Sequence, residues 1–287
     1  MKTILITSAL LLISLNLNAQ SLGFNMENKV PLIFNPALTG VNNYATASIF
    51  HQNTLPTLSG SFNTLLVSFQ TPIKKLHGGL GLYYLNNNSI LKTDNFGLSY
   101  SFQTSLTEKY SLSIGTSVEL LHNQIKKSLV FGDIYPFYFE PYQVNTNLGI
   151  LVFSKNMFFG ATVKNLSITA PIYLTTNLGY RFNILNEKLL HVTPTLSYSY
   201  QDSFQNLTFK VNTSYKWAHL TLGYREGDSF LFAAGVDIKN FNINYGYNVS
   251  KSKLTNYNNG SHEFSLRFKL KSKKMENNTQ RYDFDIY

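Results

Sequence analysis

The feature that most narrows the fold is an unbroken alternation of side-chain character over two neighbouring stretches near the end of the chain. Phe241, Ile243, Tyr245, Tyr247 and Val249 fall on one face and Asn242, Asn244, Gly246, Asn248 and Ser250 on the other, the period of two that an extended strand imposes. The returning stretch repeats it, with His262, Phe264, Leu266, Phe268 and Leu270 opposite Glu263, Ser265, Arg267, Lys269 and Lys271. A water-soluble sandwich and a membrane barrel both produce such a hairpin. Phe and Tyr on one side, against Asn, Ser and charge on the other, suit a barrel with lipid outside and water inside.

Composition points the same way. Charged residues make up 14% of the chain, well below the roughly 25% of ordinary globular proteins. Mean hydropathy is −0.10, and beyond residue 19 no run approaches the ~20 apolar residues of a spanning helix. A barrel needs neither, because only alternate residues face lipid. Residues 1–19 read as a secretory signal, with Lys2 as the basic start, an apolar stretch over 4–15, and a cleavage point after Ala19. The sequence has no cysteine, so an exported chain of this kind holds together without disulfides and carries no lipidated N-terminal Cys. The net charge of +9 is scattered over strand ends and loops. No groove-reading motif accompanies it, so a nucleic-acid partner is not expected.

Residues 20–42 do not alternate, and Pro31 and Pro36 disfavour both a central strand and a helix interior there. This stretch reads as a plug-like segment that enters the barrel mouth or lies across it. Residues 43–271 read as an all-β, transmembrane antiparallel β-barrel of about fourteen strands, and residues 272–287 as a periplasmic tail. The segments centre on 45–52, 61–70, 76–85, 95–103, 110–122, 144–153, 157–165, 174–183, 190–200, 207–215, 218–225, 229–238, 241–250 and 262–271. Connections at 154–156, 216–217 and 239–240 are brief, whereas 51–60, 86–94, 123–143, 166–173 and 251–261 run longer; 226–228 is a short exception. Short turns inside and long loops outside are the habit of outer-membrane barrels, which predicts both termini on the periplasmic side. Recurrent strand glycines, among them Gly79, Gly115, Gly149 and Gly246, are expected to permit the bending and close backbone approach that closure requires. With water inside, inward positions tolerate charge: Leu266→Arg is expected to cost about 2–4 kcal/mol near the bilayer midplane and Ser265→Arg much less.

Candidate chemistry is sparse. The histidines at 51, 77, 122, 191, 219 and 262 show no metal-ligand spacing, and no Gly-x-Ser-x-Gly elbow is present; the reading is a non-enzymatic protein without cofactor or metal. His262 and Glu263 suit a structural place at the mouth of the closing strand better than a catalytic or ligand-binding one. The longest loop gathers Phe131, Tyr135, Phe137, Tyr138, Phe139 and Tyr142. It either packs into the lumen and its neighbours or offers a partner-binding surface, since aromatics dominate interface hot spots. Lys269, Lys271, Lys273 and Lys274 read as a basic periplasmic rim, either a solvated collar facing phosphates or a dock for a periplasmic component.

Both ends of the barrel resemble the PorP/SprF family of the type IX secretion system, outer-membrane proteins of Bacteroidetes. The N-terminal likeness lies in FNPALTG at 34–40, which includes Asn35, Pro36 and Ala37, and in HGGLGLYYLNNN at 77–88. The C-terminal likeness lies in NYGYNVSKSKL at 244–254 and NNGSHEFSLRF at 258–268, with Gly260, Ser261, His262 and Glu263. The sequence departs from the family at Asn248, where an acidic residue is frequent, and at His51-Gln52-Asn53, where an Arg- and Trp-bearing motif is common. The resemblance implies a non-enzymatic accessory that assists secretion or surface retention of large secreted proteins such as gliding adhesins. It also implies outer-membrane lipid, an adhesin-like surface protein and the type IX translocon or periplasmic components as partners. The strand number and the plug-like segment leave a second reading open, an outer-membrane transport channel for hydrophobic or small solutes.

Overall fold

The computed structural model describes residues 23–54, 62–88, 91–125, 142–168, 170–185, 189–202, 204–251 and 260–270. Its strands are β1 (Ala45–Thr54), β2 (Phe62–Ile73), β3 (Gly78–Asn88), β4 (Leu91–Ser105), β5 (Ser111–Ile125), β6 (Tyr142–Phe153), β7 (Met157–Lys164), β8 (Tyr173–Tyr180), β9 (Phe182–Leu185), β10 (Leu190–Gln201), β11 (Phe204–Tyr215), β12 (Ala218–Arg225), β13 (Ser229–Ile238), β14 (Phe241–Ser250) and β15 (Ser261–Leu270). Apart from β8 and β9, which both pair with β10 and not with each other, each strand pairs antiparallel with its sequence neighbours, and β1 pairs with β15 along its whole length, from Ala45 opposite Leu270 to Thr54 opposite Ser261. That last pairing closes the ring. β9 follows β8 along the flank of β10, Phe182 opposite Val192 where Gly179 lies opposite Thr195, so it adds no place to the circle and the barrel has fourteen staves.

The faces are inverted relative to a soluble protein. Along β14, Asn242, Asn244, Gly246 and Asn248 are buried while Phe241, Tyr245 and Val249 are exposed; along β15, Ser261, Glu263, Ser265, Arg267 and Lys269 are buried while Phe264 and Leu270 are exposed. A water-soluble sandwich would reverse this. Leu98, Ile114, Val118 and Leu222 add to the exposed apolar belt. Ring pairs lie toward both ends of the strands, Phe241 with Phe268 at 4.8 Å and Tyr180 with Phe182 at 4.7 Å near one end, Tyr84 with Phe96 at 4.8 Å and Tyr224 with Phe230 at 5.2 Å near the other. Two aromatic girdles around an apolar band are what the headgroup layers of a bilayer select.

One expected loop is strand. β3 runs to Asn88 and β4 starts at Leu91, so Asn86 stands opposite Asp94; the Asn86 amide and the Tyr84 hydroxyl donate to Asp94 at 2.7 and 2.6 Å, with Lys92 ion-paired to it at 3.3 Å. β4 and β5, each 15 residues long, exceed the ~9–11 that span a membrane. Beyond the bilayer both faces of a strand meet water, so the hydropathy alternation that marks the rest of the sheet stops while the pairing continues.

The interior differs from the expected water-filled lumen. Ser265, Ser113 and Ser101 have no exposed surface, and Ser99, Asn147 and Glu263 are 1% exposed, so these inward positions are covered rather than wet. Ser265→Arg is therefore no mild change. The revised expectation keeps Leu266→Arg at about 2–4 kcal/mol of barrel stability and assigns a smaller cost to the neutral change Thr221→Gln, where a polar cavity borders the inward face. Urea titration of the heat-modifiable folded band checks both, and equal costs would show the lipid face to be misassigned.

Candidate functional site: the lumenal segment and its anchors

What covers the inward face is the chain's own start. Residues 23–44 hold a 3-10 turn at Glu27–Lys29, one α-helical turn at Pro31–Phe34 and a second 3-10 turn at Pro36–Leu38, each turn short because a proline or an extended residue interrupts it. Phe24, Met26, Val30 and Leu32 form a buried cluster with Phe50, Leu66 and Tyr83 from the wall, Phe24 standing edge-on to Phe50 at 4.9 Å. Ala37, Leu38 and Val41 form another with Leu151, Phe153 and Phe158.

The backbone of the segment is held by charge at its start. The Glu263 carboxylate accepts the backbone N–H of Asn25 at 2.6 Å and of Met26 at 2.8 Å, and also the side-chain amides of Gln52 at 3.1 Å and Asn248 at 3.2 Å. Arg225 donates to the carbonyls of Gly23 at 3.2 Å and Phe24 at 3.3 Å, Lys210 to that of Asn25 at 3.0 Å, and Arg267 to that of Asn28 at 2.7 Å. Charge-assisted bonds to successive peptide groups satisfy a stretch that has no strand partner of its own. Asn248 also donates to the Ser261 hydroxyl at 2.8 Å, so its amide links Ser261 and Glu263.

Farther along, the wall gives way to the segment. The Asn35 amide donates to the carbonyls of Ile150 at 3.1 Å and Ala161 at 3.5 Å while its oxygen accepts the N–H of Ala37 at 2.9 Å, capping the turn that Pro36 begins. Ser113 donates to the Ala37 carbonyl at 2.6 Å, Ser101 to that of Thr39 at 2.6 Å, and the Gly40 N–H to Gln70 at 3.0 Å. A Cβ on Gly79 would lie 2.5 Å from the Cα of Gly40 and one on Gly81 2.8 Å from Leu32, while one on Gly115 would strike the Pro36–Ala37 peptide and one on Gly149 the Asn35 side chain. These glycines form a track for the segment, and the close approach they permit is to residues 23–44.

The path also revises the expected topology. β1 begins and β15 ends at the end of the barrel that bears the 216–217 and 239–240 turns, here the entry end. Gly23, however, lies beside Arg225, which pairs with Asp228 at 3.2 Å in the 226–228 turn of the opposite end. The first described residue therefore sits at the far mouth and the last, Leu270, at the entry end; the chain ends themselves, expected together on the periplasmic side, lie outside the described residues.

Of the sequence-predicted sites, Glu263 holds Asn25 and Met26 at the start of the segment, Asn35, Pro36 and Ala37 lie farther along it against β5 to β7, and Gly260 and Ser261 border Asn248. Gly260 has φ +78, and a Cβ there would meet the Asn248 carbonyl. His262 does not join: it faces outward, accepting or donating at 2.7 Å with the Tyr245 hydroxyl and lying 4.9 Å from the Tyr247 ring. Because neighbours on a strand point to opposite faces, His262 and Glu263 share no reacting centre. Tyr142 is 63% exposed and stacks on His122 at 4.5 Å, whereas Phe131, Tyr135, Phe137, Tyr138 and Phe139 lie outside the described residues. Lys269 points into the lumen rather than onto a rim, 3.8 Å from Asp237 and 5.9 Å over the Tyr44 ring; Lys271, Lys273 and Lys274 are outside the described residues. The anchors Phe50, Leu66, Lys210 and Arg225 were not singled out by sequence. Their signal was an apolar or cationic residue on the face that otherwise carries Ser, Thr and Asn.

The model of the type IX secretion system membrane proteins PorP/SprF matches residues 18–268, from before the segment through the closing strand. The chain belongs to the PorP/SprF family. Compared with the curated proteins, the sequence has no match. Among solved structures, the PorP/SprF barrel is similar to the Acinetobacter baumannii outer membrane protein Omp33, at a TM-score of 0.55 and 7% identity over 81% of this chain and 100% of that one. It is also similar to the Ralstonia pickettii toluene transporter TbuX, at 0.53 and 11% over 85% and 93%. At such identities the likeness is one of fold, and it places the barrel among outer-membrane proteins.

Proposed function

We propose that this PorP/SprF barrel is a non-enzymatic accessory of the type IX secretion system, a closed anchor in the outer membrane that assists secretion or surface retention of a large, adhesin-like protein rather than a conduit for it. The observation that carries this reading is that residues 23–44 lie against the inward face and are tied to the wall by Glu263, Arg225, Lys210 and Arg267. A channel for hydrophobic or small solutes would need a continuous pathway past these contacts. On this reading the 226–228 end faces the cell exterior and the entry end faces the periplasm and its translocon components. Binding then falls to the outer loops, with Phe131, Tyr135, Phe137, Tyr138, Phe139 and Tyr142 as the contact surface.

Deleting residues 127–141 tests it. The ring should stay folded, because outside loops contribute little to a closed strand network, and the cargo should move to the medium or fail to accumulate on cells. Surface and medium proteomics of the deletion strain, in a background without sibling barrels, reads this out. An unchanged surface proteome with altered solute uptake would overturn the anchor and favour the channel.

A further inference from the structure

At the end of the barrel opposite the entry, the strand registers build ordered rows on the outward face. Tyr84, Phe96, Leu120 and Val144 stand level across β3, β4, β5 and β6, and Phe96, Leu120 and Val144 are exposed members of the lipid-facing belt. Two residues farther out along each strand, on the same face, the row reads Asn86, Asp94, His122 and Tyr142; beyond it come Asn88, Lys92 and Gln124. A step of two residues rises about 6–7 Å. The ring pair of Tyr84 and Phe96 belongs to the aromatic girdle at this end, so the Asn86 row lies one step above it, at headgroup depth.

The row is held in place by its own contacts. Asp94 accepts from the Tyr84 hydroxyl at 2.6 Å and the Asn86 amide at 2.7 Å and pairs with Lys92 at 3.3 Å. The Gln124 amide lies 3.3 Å from Nε2 of His122. On the other side the Tyr142 ring stacks on His122 within 7° of parallel, yet keeps 63% of its surface exposed. Planar carboxylate, amide and imidazole edges fixed beside an exposed ring suit a saccharide: the edges exchange hydrogen bonds with neighbouring hydroxyls, and the ring covers the C–H face of the sugar. A phosphate would call for a cation directed at it, whereas Lys92 turns to Asp94. Direction then names the neighbour. The row faces sideways, in the plane of the membrane and continuous with the lipid-facing belt, where the adjoining molecule is a lipid and the adjoining part its headgroup.

We propose that this row is a binding site for the saccharide headgroup of an outer-leaflet glycolipid, held by Asn86, Asp94 and His122 with the Tyr142 ring against the sugar. The choice of leaflet rests on the orientation proposed above, in which this end faces the exterior. The site itself does not rest on the secretion role.

The test incubates the full mature barrel in detergent with a lipooligosaccharide and, separately, with phosphatidylglycerol, and counts retained lipid by native mass spectrometry. Preferential retention of the lipooligosaccharide is expected, weakened about tenfold by Asp94→Asn and by Tyr142→Ala, the loss of one charge-assisted contact being worth on the order of one power of ten. Lys239→Gln, at an exposed entry-end turn, should leave it unchanged, and heat modifiability shows that each variant is folded. Equal retention of the two lipids would mean a lipid held by the apolar belt only and would overturn the site, as would retention that neither variant weakens. Orientation is read separately. The natural chain has no cysteine, so Glu226→Cys, in the exposed 226–228 turn, should react on whole cells with an impermeant thiol reagent; retention in detergent without that labelling would overturn the orientation, and with it the outer-leaflet occupant.

Discussion

Replacing Glu263 with alanine should free the start of the lumenal segment while leaving the strand ring closed. The carboxylate is 1% exposed and takes the N–H groups of Asn25 and Met26; without it two buried donors lose their acceptor, at about 1–3 kcal/mol each. The ring does not depend on these bonds, because β15 keeps its ladders to β1 and β14. Amide hydrogen exchange over residues 23–30 should accelerate, roughly tenfold for every 1.4 kcal/mol lost, with the strand amides unchanged. Glu263→Gln, which retains one carbonyl oxygen, should fall between. Unaltered exchange in the alanine variant would show that the apolar cluster around Phe24 and Met26, not the carboxylate, holds the segment.

The larger effect is expected from deleting residues 23–40. The wall that remains is a ring of fourteen staves, wider than the eight-stranded barrels that side chains alone can fill and approaching the porins that hold an aqueous channel. In planar bilayers the intact barrel should show no discrete conductance steps and the deletion variant should show them. Gly115→Val should reproduce the steps without shortening the chain, because its side chain would occupy the place of the Pro36–Ala37 peptide. Silence from a folded deletion variant would mean that inward side chains of the wall suffice to close the lumen. Steps already present in the intact protein would undermine the closed anchor itself.

The sequence by itself determined the staves and their faces. Lipid tolerates few polar groups on the outside, so Phe241, Tyr245, Phe264 and Leu270 had to alternate with Asn242, Asn244, Glu263 and Lys269, and closure without an edge follows from the need to pair every backbone group in a bilayer. It also singled out Asn35, Pro36, Ala37 and Glu263, though as parts of two separate likenesses rather than of one assembly. Only the tertiary structure decided what lies against the inward face. A polar inward face is compatible with water or with a peptide whose N–H and C=O groups it can satisfy, and local pattern does not distinguish them. Distance in the chain hides the answer as well: Asn25 and Glu263 lie 238 residues apart, and the glycines at 79, 115 and 149 look like ordinary sheet glycines until the segment lies against them. The outer ends of β3, β4 and β5 were hidden for the opposite reason. Above the membrane no apolar face is required, so the pairing of Asn86 with Asp94 leaves no periodic trace, and only the neighbouring strands dictate that the sheet continues.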